Sequence, residues 1–126
     1  MCVYDDVYVC CMCLNKQMSY DATTLNVHED CVFLGSFVVV VGDLSTLTIP
    51  QSVRFIADYF ISDCTDLQEV VVPSSVAYVG QRAFQKCENL TIYCEAKSQP
   101  NAWDKKWNEN KDGALLPVVW GYNTKY

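Results

Sequence analysis

Four cysteines crowd the start of the chain: Cys2, then Cys10 and Cys11, then Cys13. Thiolates ligate zinc and iron–sulfur clusters, so a metal is the first chemistry to consider. The spacing fits neither Cys-x₂-Cys pairs nor the ferredoxin runs. Neighbouring cysteines on an extended strand also point to opposite faces, which keeps them off one ion. They read as partly buried strand cysteines. His28, the single histidine, sits beside Glu29, Asp30 and Cys31. A nucleophile–base pair needs cysteine and imidazole to meet in space, with a third group orienting the ring. Adjacency in sequence does not supply that, and a solvated polar turn ahead of an apolar strand is the simpler reading. No glycine falls in a G-x-G phosphate loop. Acids are abundant, yet no pair is marked out for carboxylate hydrolysis. Asn89-Leu90-Thr91 matches a glycosylation acceptor, a triplet that chance often produces. The expectation is a protein that is not an enzyme, with no catalytic residue, no metal ligand and no cofactor.

Composition bounds the class. The 126 residues suffice for one domain, and 51% hydrophobic content supports a true core. The net charge is -6, and the nearest approach to a basic cluster is Lys105-Lys106. Nucleic-acid binders draw most of their affinity from phosphate contacts, so no nucleic-acid partner is expected. The longest apolar run, residues 31–41, is half of what a membrane-spanning helix needs, about 20 residues. Membrane insertion is not expected. Asp5 and Asp6 stand where a secretory signal carries basic residues, and no signal peptide is visible.

What must position any functional side chain is a repeat. The stretch from Leu47 and the stretch from Val70 align with an offset of 23 residues. They match at Pro50/Pro73, Ser52/Ser75, Val53/Val76, Cys64/Cys87 and Leu67/Leu90, with Ile49/Val72 and Ile56/Val79 as near matches. A fixed period of this size signals a solenoid whose coils bury apolar edges against each other. Residues 44–49 and 67–72 read as strands, ended by Pro50 and Pro73 because proline cannot donate to a ladder. Residues 52–56 and 75–79 form a second extended piece. Residues 58–64 and 81–87 read as one helical or 3-10 turn per coil. Subtracting the period places Phe33, Val38, Val41 and Leu44 in the core phase of an earlier, degenerate coil. Cys64 and Cys87 share one phase; adjacent coils are close enough for a bridge, but buried free thiols explain them.

The second copy, with Pro73, Ser75, Val76, Val79, Gly80, Ala83, Phe84, Cys87 and Leu90, resembles the BspA-type leucine-rich repeats. The first copy departs at Ala57 and at Phe60-Ile61. Residues 90–122 also resemble the segment that closes many members of that family, so the likeness covers about 44–122. It implies a leucine-rich-repeat solenoid: a right-handed α/β superhelix, mainly short β-strands with one short helical turn per coil. It further implies a cell-surface or secreted adhesion module and no common active site.

The expected organisation is a poorly readable segment 1–24, about three coils over 25–93, and a capping segment 94–126. In the last, Ser98 and Pro100 suit a helix start. Trp103 and Trp107 would then share one helical face. They read as a lid, with Val118 and Trp120, over the apolar end of the final coil; the alternative is an exposed platform for a sugar or peptide. The outward face of the main strands offers Thr46, Thr48, Glu69 and Val71. A one-residue slip in the next strand adds Thr91 and Tyr93 and aligns Thr48, Val71 and Tyr93. The favoured partner is a protein or surface macromolecule. The alternative is a structural end of a longer solenoid, with no ligand of its own.

Overall fold

The computed structural model describes residues 2–4, 7–9, 19–20, 24–27, 29–36, 44–110 and 112–123. Its strands are short, and each coil spends them on different sides of a solenoid of about three turns. One side is built from β4 (Thr24–Asn26), β6 (Thr46–Thr48), β9 (Glu69–Val72), β12 (Thr91–Cys94) and β13 (Val118–Trp120). A second side stacks β5 (Phe33–Leu34), β7 (Phe55–Ile56) and β10 (Tyr78–Val79), all parallel. A third pairs β8 (Ile61–Ser62) with β11 (Phe84–Gln85), again parallel. Ahead of the coils, β1 (Cys2–Tyr4) and β2 (Val7–Val9) form an antiparallel pair, and β3 (Ser19–Tyr20) runs antiparallel to β4.

The repeated residues are those that turn the chain or tie one coil to the next. Val53 N donates to Pro50 O and Val76 N to Pro73 O, both at 3.2 Å, closing the same turn in each coil. Leu67 N to Cys64 O and Leu90 N to Cys87 O, at 3.2 and 3.0 Å, close the next. The serine hydroxyls reach back one coil: Ser52 Oγ donates to Cys31 O at 2.7 Å and Ser75 Oγ to Val53 O at 2.9 Å. These bonds satisfy carbonyls at corners where no ladder can reach them.

The segments expected to be helical are not. Each holds a two-residue strand flanked by left-handed residues: Tyr59 and Asp63 around β8, Arg82 and Lys86 around β11. A helix needs consecutive right-handed residues, whereas single left-handed ones swing the chain round a corner. The corner then leaves backbone groups free for the parallel ladder, as in Ile61 N to Ala83 O at 2.9 Å. The departure at Phe60-Ile61 is a packing exchange. Phe60 is large where Ala83 is small, Ile61 pairs with Phe84, and the two rings meet edge to face at 6.1 Å.

The first coil is one residue shorter than the period. Leu34, fully buried, sits beneath Ile56, and Phe33 sits beneath the exposed Phe55. The expected inward placement of Phe33 is therefore corrected, because a one-residue shift swaps the two faces of a strand. Leu44 is buried as expected; Val38 and Val41 lie outside the described residues.

After Cys94 the chain makes a wider circuit and returns to the stack. Asp104 N donates to Val79 O, Lys106 O accepts from Arg82 N, and Asn110 Oδ1 accepts from Lys86 N. Arg82 and Glu109 form an ion pair at 2.7 Å. The helix expected from Ser98 is absent: turns carry the segment, with Trp103 N bonded to Pro100 O and Trp107 N to Asp104 O. Trp103 and Trp107 are nonetheless buried, and their rings pack against each other and against Trp120 within 6 Å. The burial of both tryptophans rules out the exposed platform.

Gly80 marks a close approach of two coils. A Cβ there would overlap the Asp58 backbone nitrogen and carboxylate oxygen. Gly80→Ala should destabilise the fold by at least about 1–3 kcal/mol, the range for overpacking. Lys86→Gly should do the opposite, by about 1 kcal/mol, since glycine carries no penalty at a left-handed position. Urea unfolding of the two variants checks both signs, and equal shifts would contradict the corner geometry.

Candidate functional site

The outward face of the first side follows from strand alternation. Along β6 the burial runs out, in, out, with Thr46 and Thr48 exposed around Leu47. Along β9, Glu69 is exposed and Val71 half-buried, while Val70 and Val72 face the core. β12 repeats this with Thr91 and Tyr93 outward and Ile92 and Cys94 buried. Ile92 pairs with Val70, one residue short of the period, so the slip in this strand is present. It brings Thr91 over Glu69 and Tyr93 over Val71. Thr48 pairs with Asn26; β6 and β9 lie side by side, but no ladder joins them among the described residues.

The break between β6 and β9 opens a groove of about 370 Å³, bordered by Thr46, Thr48, Glu69, Val71 and Glu95. Glu95 spans it: its Oε1 accepts from Gln51 Nε2 at 3.1 Å and from Ser74 N at 2.8 Å. One carboxylate thus holds the corners of two coils together. On the other flank, β13 lays Val119 beside Tyr93, and Tyr122 packs on the Tyr93 ring at 5.0 Å. Val119 and Tyr122, both exposed, extend the face. Sequence reasoning missed them because their return to the stack depends on the wider last circuit. It also missed a second outward row, Phe33, Phe55 and Tyr78 on β5, β7 and β10. Aromatic residues at one repeat phase, 55 and 78, were the available signal.

The remaining reactive groups are structural. Cys64, Cys87 and Cys94 are buried free thiols, and Cys31 is buried and disulfide-bonded. The hydrogen bond with Cys64, then burial, raises the Cys87 thiol far above its ordinary range; burial pushes Cys94 up to about 12. Neither supplies a thiolate nucleophile near neutral pH. Asn89 is exposed, with its side-chain amide donating to Thr65 O at 2.8 Å. Cys10, Cys11, Cys13 and His28 lie outside the described residues, as does the side chain of Cys2. Among the described residues, no group of three or more His, Cys, Asp or Glu is placed to hold a metal ion. No helix among them is long and apolar enough to cross a membrane.

Parallel two- to four-residue strands, stacked coil on coil around an apolar interior, define a leucine-rich-repeat β-solenoid. The family described as BspA type leucine rich repeat region (6 copies) matches residues 19–99, more than half of the chain. The chain belongs to this family, which is generally non-enzymatic. The match starts well before Leu44, so the worn first coil is part of the array. No curated protein and no solved structure matches the chain.

The thiol environment gives a pH dependence. The unfolded Cys94 loses its proton near pH 9, while the folded one holds it to about 12. Stability should be intact below pH 9 and decline as pH rises to 12, because the native state binds the extra proton. Cys94→Val should show a shallower decline in urea midpoint over that range. Parallel curves for the variant and the parent would refute the assignment.

Proposed function

We propose that the protein is a non-catalytic binding module that contacts a protein or surface macromolecule through the outward face of its first side. Thr46, Thr48, Glu69, Val71, Thr91 and Tyr93 form this face, and residues 94–126 serve as the cap of the last coil. The observation that carries the reading is the row in which Val71, Tyr93 and Val119 stand side by side on three paired strands. Such a row is rigid, partly apolar and flanked by polar threonines and Glu69, the composition of a protein-contact surface. Partners of this kind, and a cell-surface or adhesive setting, accord with membership of the repeat family. Neither nucleic acid nor insertion into a bilayer belongs to the proposal, since the chain's net charge of -6 opposes polyanions.

Paired capture experiments test the face. Proteins retained by the immobilised full chain should be lost with Val71→Asp and with Tyr93→Ala. They should persist with Gln85→Ala, which alters the third side. Circular dichroism must show each variant folded. Retention unchanged by both face variants would exclude this surface.

A further inference from the structure

We propose that the groove over β5, β7 and β10 receives an arginine side chain of a partner protein, stacked on aromatic rings and hydrogen-bonded to Asp58. The groove encloses about 470 Å³ and is lined chiefly by Val32, Phe33, Ser36, Phe55, Asp58 and Tyr78. The ladder register sets Phe33 under Phe55 and Phe55 under Tyr78, so three coils each contribute one ring. Phe33 and Phe55 meet at 6.1 Å and 61°, and Phe55 remains 45% exposed. An exposed ring face attracts a cation through its quadrupole, arginine more often than lysine.

Asp58 decides between an apolar and a cationic occupant. Its Oδ1 accepts from Gln81 N at 2.9 Å, and its carboxyl lines the groove beside Tyr78. A carboxylate offers about four acceptor sites, and the bond from Gln81 N leaves most of them for a ligand. A purely apolar guest would strip water from that carboxylate without replacing it. A guanidinium satisfies both surfaces, because its flat faces stack while its edge forks onto a carboxylate. Among the described residues, no lysine or arginine lines the groove. Arg54, next to Phe55, is directed to the following coil, where Nη1 donates to Ser75 O at 3.4 Å. Burial, then Asp58 and Asp104 nearby, raises the Tyr78 phenol, a sign of negative potential at this end of the row. The site is separate from the face proposed above and does not rest on it.

The test is a titration of the full chain, followed by NMR, with acetyl-Gly-Arg-Gly-amide and its citrulline counterpart, which has the same shape and no charge. The arginine peptide should bind about ten-fold more tightly, the size expected of a partly desolvated cation–ring contact. Its addition should shift the Phe55 and Tyr78 ring protons. Asp58→Asn keeps the acceptor for Gln81 N, so the fold holds, and it should bring the two peptides to near parity. Phe55→Leu should weaken the arginine peptide by about five-fold or more. Val71→Asp should leave the preference intact, which separates this site from the other face. Equal affinities in the parent chain, an unchanged preference in Asp58→Asn, or absent ring shifts would each overturn the proposal.

Discussion

Inward side chains stacked in register, one coil above the next, hold this molecule together. Leu44, Leu67 and Leu90 are buried at one phase, and Leu47, Val70 and Ile92 at another. Ile56 meets Val79, and Ile61 meets Phe84, through their ladders. A strand of two residues has no stability alone; each persists because its buried side chain contributes about 1.5–3 kcal/mol against both neighbours. Stability is therefore a nearest-neighbour property, and the ends of the stack are its weak points. The carboxy-terminal end is closed by three tryptophans whose rings lie within 6 Å of one another. Trp107 Nε1 finds Gln99 at 3.1 Å, whereas the buried Trp103 Nε1 has no hydrogen-bond partner among the described residues.

That stacking forces the backbone into conformations it would not otherwise choose. Among the described residues, four other than glycine adopt left-handed angles, and they occur as two pairs at equivalent corners. Each costs on the order of 1 kcal/mol, and the two-strand ladder they permit offsets it. The serine ties, Glu95 across two corners and the Asp58 cap on Gln81 are the polar counterpart of the apolar columns. Each lets one coil dictate where the next begins.

Because inside and outside alternate along every strand, a stacked core produces stacked surfaces. The first side presents threonine, valine and tyrosine rows with a groove where the ladder breaks. The second presents three aromatic rings ending at a carboxylate. The buried thiols between them are held protonated. Binding on either side would clamp consecutive coils together, since each row takes one residue from each coil.

The chain by itself determined the period, the inward phases of the two clear copies and their turn residues, because these depend on local identities recurring at fixed spacing. The paired serines were legible as a shared phase of the two copies, though not as the contacts they make. Only the tertiary structure decided the register of each rung. Phe33 and Leu34 are both apolar, and which one turns inward depends on where the ladder to β7 closes. Likewise, a helix and a chain of turns both bring Trp103 and Trp107 to one side, and the bonds of Asp104 and Lys106 to the preceding coil select the turns. Side-chain pattern sets what must be buried; the backbone hydrogen bonds between coils set which residue stands above which.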